Sequence, residues 1–303
     1  MCGIAGLFFP TPQRPSYSLG QGLVSMLSAI RHRGPDSCGV AVYDQPASWV
    51  RLTLWLENPQ IEIQIRHRLA AMGAQIISGS QQGGLACWRV SHPGGAQAVA
   101  HAMAQQAGIL SVGDRLRILK DVGGIDDVGR RHGWERRQGS HGLGHVRLAT
   151  ESAIHPLAAH PFWATGFADI AVVHNGQITN DGTLRRRLQR AGHVLQTQND
   201  SELVALFIAE RMGLGQSLAE SLAQAVDELD GSFSFLVSAA GQIGFARDRM
   251  GAKPLVICET PEWVALASEE CALCALAPHD MPLTIQTPPP GASATWSLCP
   301  PTC

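Results

Sequence analysis

Strands and helices come in groups along this chain rather than alternating, and the grouping restricts the architectures open to it. From Leu143 onward, "LGHVRLAT" and "FADIAVVHNGQITN" read as short strands separated by glycine turns. Three amphipathic helices then follow in succession, "DGTLRRRLQRAG", "SELVALFIAERM" and "SLAESLAQAVDELDG", the last expected to close on Gly231 as its C-cap. Two hairpins come next, "SFSFLVSAAGQIGFARD" around Ala240-Gly241 and "LVICETPEWVALAS". Strict strand-helix alternation would give a doubly wound parallel sheet. Strands beside strands and helices beside helices favour an α+β sandwich rich in antiparallel pairing.

The N-terminal half fits the same scheme. "CGIAGLFF" reads as a buried strand, "PTPQRPSYS" as a loop and "LGQGLVSMLSAIRHR" as a helix. Gly34 and Pro35 end that helix, and "CGVAVY" resumes as a strand, so Arg33 to Asp36 occupy a tight connection. From Trp49 to Arg89, alternation in "WVRLTLWL" and "RLAAMGAQII" suggests two or three strands, and "GGAQAVAHAMAQQAGIL" a helix. "GRRHGWERRQGSHG" gathers positive charge without periodicity and reads as a solvated loop, with a docking surface for an acidic partner as the alternative. The tail "PLTIQTPPPGASATWSL" is expected to be a final strand pair broken by its three prolines. No internal repeat or long linker is visible, so a single domain over 2–303 is expected, with an irregular tail from about 277.

Composition excludes several classes. With 303 residues, 45% hydrophobic and 16% charged content and a formal charge of -2, the chain can bury a large core and is not built for a polyanion. No nucleic-acid partner is expected. Eight cysteines in a chain this long read as reduced thiols rather than staples. "MCGIAGLFFP" lacks a basic signal-peptide region, and no apolar run approaches the ~20 residues of a membrane helix. A soluble cytoplasmic protein is expected.

Chemistry gathers at a few positions. Cys2 directly follows the initiator methionine, whose removal would leave a thiol and a free α-amine on one residue, with ordinary pKa values of about 8.5 and roughly 7.7 to 8. Such an amine can accept the thiol proton; the alternative is a small apolar residue at a strand start. Arg147 in "GHVRLAT" presents a planar guanidinium suited to a carboxylate, or else a surface ion pair. Asn175 and Gly176 in "HNGQITN", read as a turn, offer an amide and a bare N–H to one oxyanion, or form a common hairpin turn. Asp200 in "QNDSEL" is a helix cap or a carboxylate free to bind an ammonium.

In order, "CGIAG", "RGPDSCG", "GHVRLAT", "HNGQITN", "NDSEL", "RDRMGAKPL" and "ASEECAL" resemble the class II glutamine amidotransferase domain. This is an N-terminal nucleophile hydrolase shared by glutamate synthase, amidophosphoribosyltransferase, asparagine synthetase and glucosamine-6-phosphate synthase. The resemblance runs from Cys2 to about Leu273. It implies a four-layer α/β/β/α sandwich of two antiparallel sheets. It makes Cys2 the nucleophile on the side-chain amide of L-glutamine, with its own α-amine as base, and Asn175 and Gly176 the oxyanion hole. Arg147, with Thr150, would hold the α-carboxylate and Asp200 the α-ammonium. Glu151 stands where several members carry histidine, and His160 in "AHP" matches a loop of some members, so both are further site candidates. The stretch from about 59 to 138 exceeds what the catalytic core needs and carries no motif.

The family joins this domain to a synthase that consumes the ammonia, and the sequence after "ASEECAL" is too short for one. "RDRMGAKPL" and "ASEECAL" lean toward the phosphoribosyl and asparagine branch, but no phosphoribosyl-binding segment or pyrophosphate loop accompanies them. A separate subunit within a hetero-oligomer is expected, resembling that of N-methylglutamate synthase and other glutamate synthase-like complexes. It would carry no cofactor itself, its synthase partners supplying FMN and an iron-sulfur cluster. The alternatives are a non-catalytic regulatory or scaffold subunit, and a glutaminase for a phosphoribosyl- or asparagine-type transferase. No metal is expected; a zinc site through Cys271, Cys274, Cys299 and Cys303 is a minor alternative.

Overall fold

The six residues of β1 (Gly3–Phe8) are all buried, which is how a strand looks when it is covered on both faces. The computed structural model describes residues 2–11, 17–149, 154–278 and 281–298. In it β1 lies fourth in a seven-stranded sheet. In sheet order the strands are β15 (Ile285–Gln286), β13 (Val256–Glu259), β14 (Val264–Ala267), β1, β8 (His141–Arg147), β2 (Ser37–Tyr43) and β7 (Leu116–Val122). A five-stranded sheet runs β16 (Ser293–Ser297), β12 (Gln242–Arg247), β11 (Gly231–Ala239), β10 (Ala171–Ile178) and β9 (Phe162–Trp163). All pairings in both sheets are antiparallel.

The sheets face each other across an apolar seam fastened by a few polar contacts. Tyr43 Oη donates to the Ser238 carbonyl at 2.6 Å, and His141 Nε2 meets the Ala239 carbonyl at 2.8 Å. Helix α1 (Leu19–Ala29) covers the outside of the large sheet, fixed by a capping box in which Ser18 and Gln21 satisfy each other's backbone N–H. Helices α5 (Asp181–Arg190), α6 (Asp200–Gly213) and α7 (Leu218–Glu228) cover the small sheet. The fold is therefore the α+β, four-layer sandwich expected from the sequence.

A third sheet lies outside that plan, at the β7 and β9 edges. It orders β4 (Gln75–Gln82), β5 (Leu85–Ser91), β3 (Val50–Trp55) and β6 (Ile109–Gly113), with α2 (Pro59–Ala71) and α3 (Gly95–Met103) packed on it. This layer draws on 50–113, whereas β7 and the short helix α4 (Ile125–Arg131) return to the large sheet and α1. The added structure is thus offset from the 59–138 stretch.

Four local expectations are corrected. Between Trp49 and Arg89 the chain contains a helix as well as strands: Asn58 caps α2, Pro59 takes its first turn, and Ile65 and Leu69 bury one turn apart. Gly231 does not cap α7, which ends at Glu228 with Leu229 as its C-cap; it opens β11 instead. The two tail strands do not pair with each other, because β15 adds to β13 in the large sheet and β16 to β12 in the small one. The basic stretch is not simply a loop, since α4 and a fully buried Trp134 anchor it while Arg130, Arg131 and Arg136 stay exposed. Among the described residues, no helix is long and apolar enough to cross a membrane.

Candidate active site

Cys2 sits at the mouth of the two-sheet seam, just before β1, and three distant segments fix it there. Its carbonyl accepts Arg33 Nε at 2.8 Å and Asn175 Nδ2 at 3.1 Å, and its sulfur lies 3.6 Å from the Leu148 carbonyl. Arg33 is itself held by Glu269, whose carboxyl Arg33 keeps below the usual range. One residue earlier in "ASEECAL", Ser268 exchanges hydrogen bonds with Ile4 at 3.0 Å in both directions. "RGPD" and "ASEE", 230 residues apart in the chain, thus meet to position the same strand.

The same "RGPD" connection shapes the segment after β8. A Cβ on Gly34 would come within 2.5 Å of the Arg147 backbone, so only glycine lets the two chains approach. Asp36 accepts the Ala149 N–H on its carboxylate at 2.8 Å and donates its own N–H to the Arg147 carbonyl at 3.1 Å. Arg147, buried at the end of β8, faces the cleft; burial lowers its pKa while the charges of Cys2 and Asp36 work the other way. Thr150 and Glu151 lie outside the described residues.

Asn175 and Gly176 are not in a turn, as the sequence suggested, but inside β10. Gly176 has φ 139°, and a Cβ there would lie 2.0 Å from the Ser232 carbonyl, which makes glycine obligatory in this strand. One Asn175 amide hydrogen is spent on Cys2, and an NH₂ group has a second to offer. Asp200 is not the cap of α6: Asn199 caps it, accepting the Ser201 N–H at 2.9 Å. That releases the Asp200 carboxylate to accept the Ile178 N–H at 2.9 Å and to approach His174 Nδ1 at 3.6 Å. Burial pushes the Asp200 pKa up, but His174, Ile178 and Ser201 outweigh it and hold the group below its ordinary value.

These residues surround one cleft of about 700 Å³, lined by Cys2, Arg147, Asn175, Gly176 and Asp200, with Lys253 of "RDRMGAKPL" on its wall. It offers a thiol, a guanidinium, a carboxylate and an amide donor to a single small molecule. His160 lines the floor, stacked on His145 with ring centroids 4.0 Å apart and kept neutral by burial. Its loop is held by Lys120, whose ammonium reaches the Ala159 and Pro161 carbonyls at 2.6 and 3.0 Å; burial pushes that lysine down to about 7.

Several contributors went unassigned in the sequence. His174 and Ser201 lie beside Asp200, their side chains 2.9 Å apart. The buried Glu202 carboxylate accepts the Gln196 and Thr197 N–H groups, each at 2.7 Å, and so fixes the strip leading to Gln198 and Asn199 on the cleft wall. The signal lies in "HNG" and "NDSEL", where a histidine and a Ser-Glu pair flank Asn175 and Asp200. Cys271 is a free, exposed thiol on α8 (Glu270–Cys274), as is Cys274; Cys299 and Cys303 lie outside the described residues.

Comparison with known proteins adds the family. A glutamine amidotransferase domain model matches residues 145–275. A glutamine amidotransferase-like protein GlxB of Rhizobium meliloti is 38% identical over 300 residues, spanning 98% of both chains. A putative glutamine amidotransferase of Methanothermobacter thermautotrophicus is 32% identical over 291 residues, 90% of this chain and 93% of that one. The glutamine phosphoribosylpyrophosphate amidotransferase of B. subtilis, solved with ADP and GMP, superposes with a TM-score of 0.64 at 20% identity. That likeness, which speaks for the fold, takes in 98% of this chain and 47% of the longer one. Matched along nearly the full length of two relatives, the chain belongs to the glutamine amidotransferase family, and it shares the sandwich fold of the phosphoribosylpyrophosphate amidotransferase.

Proposed function

We propose that the chain is the glutamine-hydrolysing subunit of an amidotransferase. The observation that carries this reading is the convergence of Cys2, Arg147, Asn175, Gly176 and Asp200 on one cleft from four separate motifs. Glutamine would enter with its α-carboxylate on Arg147 and its α-ammonium on Asp200, which leaves the side-chain amide facing Cys2. With Met1 removed, the α-amine of Cys2 takes the thiol proton and the sulfur attacks the amide carbon. Asn175 and the Gly176 N–H receive the oxyanion, and collapse returns the proton to the leaving nitrogen as ammonia departs. Water then hydrolyses the thioester to glutamate and restores the thiol.

The ammonia is destined for a partner synthase, most closely of the glutamate synthase-like or N-methylglutamate synthase type, with FMN and an iron-sulfur cluster on the partner and no cofactor here. The free cysteines fit a reducing, cytoplasmic setting. The test is to expose the purified protein to a glutamine analogue bearing an electrophilic ketone in place of the amide and to map the adduct. The reading expects one adduct, on Cys2, blocked by excess glutamine; an unlabelled Cys2 together with no glutamate released from glutamine would overturn it.

A further inference from the structure

The added sheet carries a cavity of its own, about 250 Å³ in volume, which shares no lining residue with the cleft. Arg66 of α2 lies over Trp88 of β5, so one parity of that strand faces the helices. Side chains alternate along a strand, so Cys87 and Arg89 face the other way, into the cavity. The register builds two rows across three strands on that face. Arg51 of β3, Arg89 of β5 and Ser78 of β4 form one; Thr53, Cys87 and Ser80 form the other. Arg117 of β7 lines the cavity as well.

The first row places two arginines at directly opposed positions on one face, and like charges so placed are unfavourable in a sheet. The chain supplies little to offset them. Asp44 meets Arg51 at 3.1 Å and Arg117 at 3.5 Å, one carboxylate for two cations. Arg51 is otherwise consumed by the backbone carbonyls of Gln45 and Asp114, so it acts as a fixed charge. Arg89, an exposed residue at the rim of the cavity, rests over the Trp49 ring at 5.2 Å and, among the described residues, makes no hydrogen bond or ion pair. Its planar fork of donors is open. The neighbouring row adds no anion: Thr53 is buried beside Cys87, and burial pushes the Cys87 thiol up, which keeps it a neutral S–H.

We propose that this cavity is a binding site for a small oxyanion ligand of the phosphate or dicarboxylate class, held by Arg89 and Arg117 against the fixed charge of Arg51. The site is independent of the glutaminase reading, since none of its residues touches the cleft. It gives the added layer a role that its motif-free sequence did not announce.

Calorimetric titration of the full chain, once with inorganic phosphate and once with succinate at constant ionic strength, tests it and tells the two anion types apart. Saturable binding of at least one probe is expected, weakened at least about tenfold in Arg89→Gln and again in Arg117→Gln, because each removes a charge-assisted pair. Without anion, Arg89→Gln should melt no lower than the parent, since it removes a repulsion. No saturable binding of either probe in the millimolar range, or equal binding by the parent and the double variant, would overturn the proposal. So would a lower melting temperature of anion-free Arg89→Gln.

Discussion

The two-sheet sandwich and the added four-stranded layer hold their charges differently. In the sandwich, several buried charges are built into the backbone. Asp200 takes the Ile178 N–H, Glu202 those of Gln196 and Thr197, and Asp248 those of Phe233 and Met250, while Lys120 spans two carbonyls of the His160 loop. In the layer, Arg51 and Arg89 stand opposite each other with Asp44 as the nearest carboxylate, shared with Arg117. A charge tied to several backbone groups fixes a geometry, as a reaction site requires. An exposed guanidinium with open donors, such as that of Arg89, is free to meet a ligand, which is the role proposed for it above.

Acid should separate the regions most. Burial holds His141 down at about 4 and His145 at about 3, so both stay neutral in the seam, whereas unfolding returns them to about 6.5. Between those limits the unfolded chain binds more protons. Stability is therefore full above pH 6.5 and is lost as pH falls toward 4, on the order of a few kcal/mol for each histidine at the extreme. The depressed Asp200 adds to the loss at still lower pH. Urea titrations at pH 7, 5.5 and 4.5 should show the midpoint dropping, with a shallower drop in His141→Gln. An identical slope in that variant would remove the seam from the explanation.

Asn175→Ala comes next. Losing one oxyanion donor should cut kcat for glutamine hydrolysis about 10²- to 10³-fold, or about 2.7–4 kcal/mol in the barrier, with KM little changed. Asp200→Asn should act on binding instead, lowering kcat/KM through KM by roughly 1.5–3 kcal/mol, the worth of a hydrogen bond to a charged group. Reversal of that KM-against-kcat split would exchange the roles assigned to the two residues. The smallest effect belongs to the layer: Arg89→Gln should leave glutamine turnover unchanged and move stability by no more than about 1 kcal/mol. A large loss of activity there would join two regions that are described here as separate.

What the sequence made legible follows the same division. Grouped strands and helices were enough for the sandwich, because alternation and amphipathicity report burial directly. Cys2, Arg147, Asn175, Gly176 and Asp200 were legible because each lies in a short motif, and the cleft gathers all of them. The context of those residues was not. "HNG" reads locally as a turn, and only pairing with β11, where Gly176 faces Phe233, makes it strand interior. Gly231 looks like a cap until its register opposite Ile178 is known. The helix α2 was hidden by a nearly featureless apolar pattern in which Ile65 and Leu69 alone bury, and the tail strands by partners that lie in different sheets. Arg33 was placed in a tight connection with no partner, because Glu269 is 236 residues away. Long-range pairing sets these contacts, and local sequence does not record it.

The central claim is that the first strand delivers a free N-terminal cysteine to the cleft. Two preparations of the same chain test it, one processed so that mass spectrometry finds Cys2 as the first residue, the other carrying a short uncleaved extension before it. Both should give the same circular dichroism spectrum and melting curve. The account predicts that the processed chain releases glutamate from glutamine and that the extended chain, deprived of the α-amine, does not. Equal glutamine hydrolysis by the two would contradict it.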